Sequence, residues 1–370
     1  MSSDAFRLNR LVESLPAAVP FVGPETLERN NGREFRVRLG ANESAFGVSP
    51  KAADAMAAEI GRASWYADPE NFDLREALAA ELGVAMEEIS IGAGIDCLLG
   101  CIVRMTVEAG DPVVTSLGAY PTFNYHVAGY GATLVTVPYR DDREDPDALA
   151  AKVRETGAKL VYLANPDNPM GTWHDAARIQ AFIDALPATT LLVLDEAYIE
   201  FAPDGIAPAI DTARPNLLRM RTFSKAHGMA GGRVGYAIGH RALVTGINKV
   251  RNHFEMNRLS QVGALASLQD RDFILQVTAA VEEGRQEYYR LAASHGLTAL
   301  PSATNFVAID VGGGDRARAI LAALQQKGVF IRMPGVAPLD RCIRVSVGRP
   351  EERAIFAEAF AEVLAELPAR

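Results

Sequence analysis

The 370-residue chain holds only three cysteines, Cys97, Cys101 and Cys342. An odd, sparse set excludes a disulfide framework and fits a reducing compartment. Cys97 and Cys101 fall four residues apart on an expected helix, but no histidine or further cysteine completes a metal set with them. They read as buried thiols, and no metal site is expected. Long apolar runs are missing too: none approaches the roughly 18 residues of a membrane span. The start, Met1-Ser2-Ser3-Asp4, lacks a basic stretch followed by an apolar one, so no secretory signal is expected and the cytoplasm is the compartment. Basic residues are in deficit, 37 against 46 acidic, for a net charge of −9 and no basic run. That argues against nucleic acid or an anionic membrane as partner. An anionic small molecule would need a local cationic pocket. Repeats and low-complexity segments are also lacking.

What is present is an ordinary globular composition, 49% hydrophobic and 22% charged, in a chain long enough for two domains sharing one site. The stretch from Asp195 to Arg233 organises it. Thr190-Leu191-Leu192-Val193-Leu194 reads as a buried parallel strand. Asp195 then lies at a strand's carboxyl end, where open α/β sheets place ligands. Lys225 sits among Thr222, Ser224, His227 and glycines, with little apolar mass around it. Taken singly, a loop lysine is solvated surface and a strand-end aspartate is a helix cap. Taken together, a lysine in a polar loop with an acid and a tyrosine on a neighbouring strand end suggest Schiff-base chemistry with pyridoxal phosphate.

The set Asp195-x-x-Tyr198, Thr222-x-Ser224-Lys225 and Arg233 eight residues on resembles the signature of fold type I pyridoxal-phosphate-dependent aminotransferases of class I/II. Asp195-Glu196-Ala197-Tyr198-Ile199-Glu200-Phe201 with Arg221-Thr222-Phe223-Ser224-Lys225-Ala226 is most similar to the histidinol-phosphate aminotransferase branch. The resemblance implies an α/β fold: a large, mainly parallel-sheet domain plus a smaller α+β domain. The segments divide as an N-terminal arm (1–40), a large cofactor-binding domain (41–249) and a small C-terminal domain (250–370).

The rest of the chain supplies further pieces. Residues 1–40 are irregular, punctuated by Pro16, Pro20, Gly23 and Pro24. Leu39 to Gly47 contains Asn42-Glu43-Ser44-Ala45 where the family carries Asn-Glu-Asn-Pro, a loop near the substrate; its plain reading is a turn. Tyr66 precedes a helix with Leu74, Ala77, Leu78 and Leu82 on one face. The resemblance gives this tyrosine to the cofactor phosphate of a partner subunit, in a homodimer with shared active sites. Ile89 to Cys97 reads as strand, tight turn, helix. Gly92-x-Gly94 could open a dinucleotide fingerprint, but Cys97 stands at the third glycine position. The same helix start suits a single phosphate, and the resemblance assigns Gly94, Ile95 and Asp96 to it. Phe123, in Tyr120-Pro121-Thr122-Phe123, takes the aromatic position that stacks on the cofactor ring. Asn165-Pro166-Asp167-Asn168-Pro169 is a stiff loop at a strand end, where Asn168 would donate to the cofactor's phenolic oxygen. From Pro350 a last helix carries one apolar stripe, Phe356 to Leu367.

In the implied chemistry Lys225 carries the cofactor and moves the proton, and Asp195 keeps the ring nitrogen protonated. Tyr198 and Asn168 bond the phenolic oxygen. Thr222, Ser224, Arg233, the Gly94–Asp96 turn and the partner's Tyr66 hold the phosphate. Arg344 would grip the acidic group of the substrate; its plain alternative is a salt bridge. Arg332 would help bind a substrate phosphate. The branch implies L-histidinol phosphate as amino donor and 2-oxoglutarate as acceptor. Two departures weigh against that donor. Phe21 lacks the hydroxyl of the branch's usual tyrosine, and Glu255, in His253-Phe254-Glu255-Met256-Asn257, would repel a phosphate if it faced the pocket. An aromatic or other amino acid is the competing donor. A lyase using the same lysine, or a non-catalytic binding module of the same fold, are the remaining readings.

Overall fold

Apolar runs such as Leu160–Ala164 and residues 191–194 set the architecture, because strands without polar alternation must be covered on both faces. A computed structural model describes residues 6–16 and 22–367. Its twelve strands are β1 (Val37–Arg38), β2 (Ile89–Gly92), β3 (Pro112–Ser116), β4 (Thr133–Val137), β5 (Leu160–Ala164), β6 (Leu191–Asp195), β7 (Leu217–Thr222), β8 (Gly235–Gly239), β9 (Thr298–Ala299), β10 (Phe306–Asp310), β11 (Val329–Phe330) and β12 (Cys342–Ser346). The main sheet has the order β2-β8-β7-β6-β5-β3-β4, parallel except for β8. Val113, Tyr162, Val193 and Met220 face Leu98, Ile102, Val103, Val127 and Ile247 on one side. Val114, Val161, Leu163, Leu192 and Leu194 face Leu149, Val153, Ile179, Phe182 and Ile183 on the other. Neighbouring residues thus enter opposite cores, and β5, and β6 up to Asp195, read as wholly apolar.

The order of strands reverses between β3 and β5, since β4 adds outside β3 and β5 returns to its other side. Such a switch point opens a crevice at the carboxyl ends of the strands. Here it is held open by a side chain. The two strands pair only through Val113↔Leu160 and Val114↔Val161. Beyond that point Glu144 stands between them: its Oε1 accepts from the Ala164 N–H at 2.8 Å, and its Oε2 lies 2.6 Å from Ser116 Oγ. Burial, reinforced by Asp167, pushes the Glu144 carboxyl well above the ordinary range, which favours its neutral form in this dry setting.

The second unit is an antiparallel sheet, β12-β10-β9, packed against helices Arg271–Ser294, Gly314–Gln326 and Pro350–Glu366. The last helix buries Phe356, Ala359, Phe360 and Val363, the expected stripe. Helix Arg258–Leu268 packs instead along helices Pro50–Glu59 and Phe72–Leu82, on the main-sheet side. The N-terminal segment is less irregular than its prolines and glycines imply. Pro24 starts helix Pro24–Asn31 at its first turn and Gly32 ends it in the left-handed conformation, which is how those two residue types bracket helices. β1 then pairs with β11 of the second unit. Among the described residues no helix is long and apolar enough to cross a membrane.

Candidate active site

A cavity of about 850 Å³ lies at the switch point. It is lined from the main sheet by Asp195, Tyr198, Lys225 and Asn168, and from the second unit by Arg332 and Arg344. Asp195 closes β6 and is 5% exposed. Its Oδ2 accepts from the Tyr162 hydroxyl at 2.7 Å and its Oδ1 from the Ala197 N–H at 2.9 Å. It caps no helix. Burial pushes its carboxyl up to about 6 despite those two bonds. Among the described residues it has no ion-pair partner, so it is an anion-forming group waiting for a cation. Glu196 beside it is structural: Arg219 and Arg221 hold it at 2.5 and 3.0 Å, fixing the turn that follows β6.

Lys225 is half-buried, with Nζ 3.1 Å from the Asn42 carbonyl oxygen. Desolvation, helped by Arg344, lowers its pKa from 10.5 to about 8, so a useful fraction is the free amine near neutrality. Tyr198 Oη accepts from Asn42 Nδ2 at 2.9 Å and Asn168 Nδ2 at 3.5 Å.

On one flank is a cradle for an anion. Helix Ile95–Thr106 begins at Gly94, which has no side chain to cap the free N–H groups and a φ of +83°. The Arg233 guanidinium packs into the space a Cβ at Gly94 would take, 2.3 Å from its Nη2, and the left-handed backbone favours glycine there. Arg233 itself is held left-handed, at φ 53°, a cost of roughly 1–3 kcal/mol found at functional sites. Its Nη1 lies 3.5 Å from Ser224 Oγ and its Nη2 3.5 Å from Asp96. The Thr222 hydroxyl sits 3.0 Å from Ser224 Oγ. Helix N-terminus, guanidinium and two hydroxyls are the donor set of a phosphate site. Cradle, low-pKa lysine and cation-seeking carboxylate therefore fit the phosphate, aldehyde and ring nitrogen of pyridoxal phosphate.

Arg344 projects from β12 onto the same cavity. Its Nη1 donates to Asn168 Oδ1 at 2.6 Å and its Nη2 to the Gly40 carbonyl at 3.3 Å, while Nε is buried without a partner. Among the described residues no carboxylate pairs with it, so the salt-bridge alternative is not realised. Burial lowers its pKa to about 10. Arg332 bridges Arg344 backbone to backbone and donates from Nη2 to the Val22 carbonyl at 2.9 Å.

Three expectations change. Phe123 is 0% exposed and stacks on Tyr162 at 4.7 Å, behind the cavity. Tyr120 lines the cavity instead, its hydroxyl donating to Asp96 at 2.8 Å. The helix Pro121–Gly129 starts at that point, so the residue before it faces the crevice and the one three later faces the core. Glu255 does not line the cavity; it accepts a bond from Cys97 Sγ at 2.7 Å, and the objection it raised to an anionic donor lapses. Cys97 is accordingly only partly buried, while Cys101 and Cys342 are buried. Tyr66 is 79% exposed, packs on Phe254 at 4.8 Å and stays outside the cavity of its own chain. Phe21 lies outside the described residues. The sequence reading missed Asn42, Tyr120 and Tyr162. Only Asn42 carried a signal, the Asn-Glu pair of its loop.

The sequence profile described as aminotransferase class I and II matches residues 36–360. The chain belongs to this family, and its fold is that of the fold type I aminotransferases. Among similar proteins, the histidinol-phosphate aminotransferase of Roseiflexus castenholzii is 38% identical, with 96% of each chain covered. That of Carboxydothermus hydrogenoformans is 33% identical, covering 96% of this chain and 99% of its own. The crystal structure of histidinol-phosphate aminotransferase from Sinorhizobium meliloti in complex with pyridoxal-5'-phosphate is 53% identical, with a TM-score of 0.95 over 99% of this chain and 100% of that one. Aspartate aminotransferase from Thermus thermophilus, at 22% identity and a TM-score of 0.82 over 97% of this chain and 100% of its own, shares the fold.

Proposed function

We propose that this enzyme moves the amino group of L-histidinol phosphate to 2-oxoglutarate, with pyridoxal 5'-phosphate as cofactor. The observation that carries the donor assignment is Arg344: a half-buried guanidinium on the cavity wall, with no carboxylate partner among the described residues and Arg332 bridged to it. Such a pair suits a substrate with a strong anion at the end away from its amine. When bound, the cofactor supplies an electron sink for the charge left at the carbon that bears the amine.

The chain's own residues do the rest. Lys225 would hold the cofactor covalently and, once released by the donor amine, its Nζ would take the proton from the donor carbon and carry it to the cofactor carbon that keeps the amino group. The Asp195 carboxylate, already fixed by Tyr162 and Ala197, would keep the ring nitrogen charged. Tyr198 and Asn168 would bond the phenolic oxygen. Tyr120 would lie against the ring. Gly94, Ile95, Asp96, Thr222, Ser224 and Arg233 would hold the phosphate. We assign these roles to the unit formed by residues 41–249 together with helix Arg258–Leu268, and the substrate arginines to the smaller unit. The exposure of Tyr66 supports its service to the phosphate of a partner in a homodimer. The cytoplasm remains the proposed compartment.

The test is kcat/KM for L-histidinol phosphate, phenylalanine, tyrosine and histidine, each with 2-oxoglutarate. A histidinol phosphate value tenfold or more below the best amino acid would sink the donor assignment and favour the aromatic one.

A further inference from the structure

Asn42 stands in the turn after β1, is 3% exposed and has a φ of 55°. A left-handed backbone is costly for a residue with a Cβ and marks a constrained position. Its polar groups are all engaged. The N–H donates to Ser346 Oγ at 3.0 Å, and that hydroxyl lies 3.3 Å from Asn42 Oδ1. Nδ2 donates to Tyr198 Oη at 2.9 Å. The carbonyl accepts from Lys225 Nζ and from Asn305 Nδ2, both at 3.1 Å.

We propose that Asn42 is a positioning residue that fixes the proton of Tyr198, receives the free amine of Lys225, and ties both to the strand that carries Arg344. The proposal rests on the roles given above to Lys225 and Tyr198.

The proton argument is one of counting. A phenol oxygen has two acceptor sites and one hydrogen. Asn42 and Asn168 both aim amide N–H groups at Tyr198 Oη. The phenol hydrogen is then left for the cavity, and Tyr198 is an obligatory donor toward whatever lies there. Ser346 sets the amide orientation by occupying Oδ1. The lysine argument is one of place. An amine released by an incoming donor would otherwise sample several rotamers; a fixed carbonyl keeps it near the reacting carbon. The groups that act electrostatically on it are Arg344 and Arg233, which disfavour its charge, and Asp96 and Glu43, which favour it. The tie to substrate is one of register. Arg344 and Ser346 are two apart on β12 and share a face. An anion drawn onto Arg344 thus acts on the same strand that holds Asn42.

Two variants test this. Asn42→Gly tolerates the left-handed turn and removes the amide. Ser346→Ala leaves Asn42 in place and removes its tether. In the cofactor-free protein, acylation of Lys225 by a small amine reagent, mapped by mass spectrometry, reads the amine directly. Both variants keep the Asn42 carbonyl but release the contacts that aim it at Lys225, so labelling should rise about threefold, the size of one weakened hydrogen bond, with the other lysines unchanged. In the loaded enzyme kcat should fall about tenfold, with KM for 2-oxoglutarate little altered and a larger isotope effect from donor deuterated at the reacting carbon. Folded variants that label Lys225 like the wild type and keep its kcat and isotope effect overturn the proposal. A wild type that transaminates no donor overturns the reading of the site instead, and the labelling arm still decides whether Asn42 holds the amine.

Discussion

Replacing Asp195 by asparagine should weaken the reaction and strengthen the cofactor-free fold. In the empty cavity burial raises this carboxyl from 3.8 to about 6. Two units at about 1.4 kcal/mol each make the bare carboxylate a burden of ~3 kcal/mol. The folded state binds the proton more tightly than the unfolded one. The stability this brings is present below about pH 4 and is lost as the pH rises through about 6. Asparagine keeps the shape, can retain partners at Tyr162 and Ala197, and never ionises. The cofactor-free Asp195→Asn protein should therefore outlast the wild type in urea at about pH 8 by up to ~3 kcal/mol, and the gap should close toward pH 4. With cofactor bound the sign reverses. The carboxylate then faces a ring cation, and its removal should cost ~3–4 kcal/mol in barrier, a loss of about 10²–10³ in kcat. Denaturant curves at several pH values and steady-state rates supply both halves. A cofactor-free variant no more stable than wild type at about pH 8, or a kcat within threefold of normal, would refute the reasoning.

Cofactor loading should depend on the free amine of Lys225. The rate at which cofactor-free protein takes up pyridoxal phosphate should rise with pH through a midpoint near 8, where Lys225 titrates, and level off above it; a midpoint near 10.5, by stopped-flow absorbance, would contradict the lowered pKa. Arg344→Ala should raise KM for the anionic substrates by about ten- to a hundredfold, in line with ~1.5–3 kcal/mol for a charged hydrogen bond, while an uncharged amine donor is barely affected. Mixing Lys225→Ala with Tyr66→Phe protomers should give hybrids with one site carrying both defects and one carrying neither; a catalytically competent monomer would refute the shared site.

Legibility in the sequence followed the range of the interaction. The strands β5 and β6 were readable because burial on both faces leaves no polar break in them before Asp195. Asp195, Lys225 and Arg233 were readable as a group because they lie within one short stretch of chain, and the fold brings all three to one cavity. Phe123 was misplaced because Tyr120 and Phe123 are three apart at a helix start, and only the packing of that helix on the sheet decides which faces the crevice. Glu144 gave no sign, since Asp141-Asp142-Arg143-Glu144-Asp145 looks like solvated charge, yet Glu144 is buried between two strand ends. Glu255 was feared to face the pocket because its partner, Cys97, lies 158 residues away. Asn42 looked like a turn residue, and its four contacts come from Tyr198, Lys225, Asn305 and Ser346, all distant in sequence.

The central claim is tested most directly by one half-reaction. Cofactor-loaded wild type and a Lys225→Ala control are mixed with L-histidinol phosphate in the absence of 2-oxoglutarate, and the cofactor's visible absorbance is followed with product analysis. The account predicts that the wild type converts one equivalent of donor per site to its keto product and regains its original spectrum on addition of 2-oxoglutarate, while the control does neither. A wild type that leaves L-histidinol phosphate unchanged but converts phenylalanine or tyrosine, or a Lys225→Ala protein that turns over like the wild type, would contradict it.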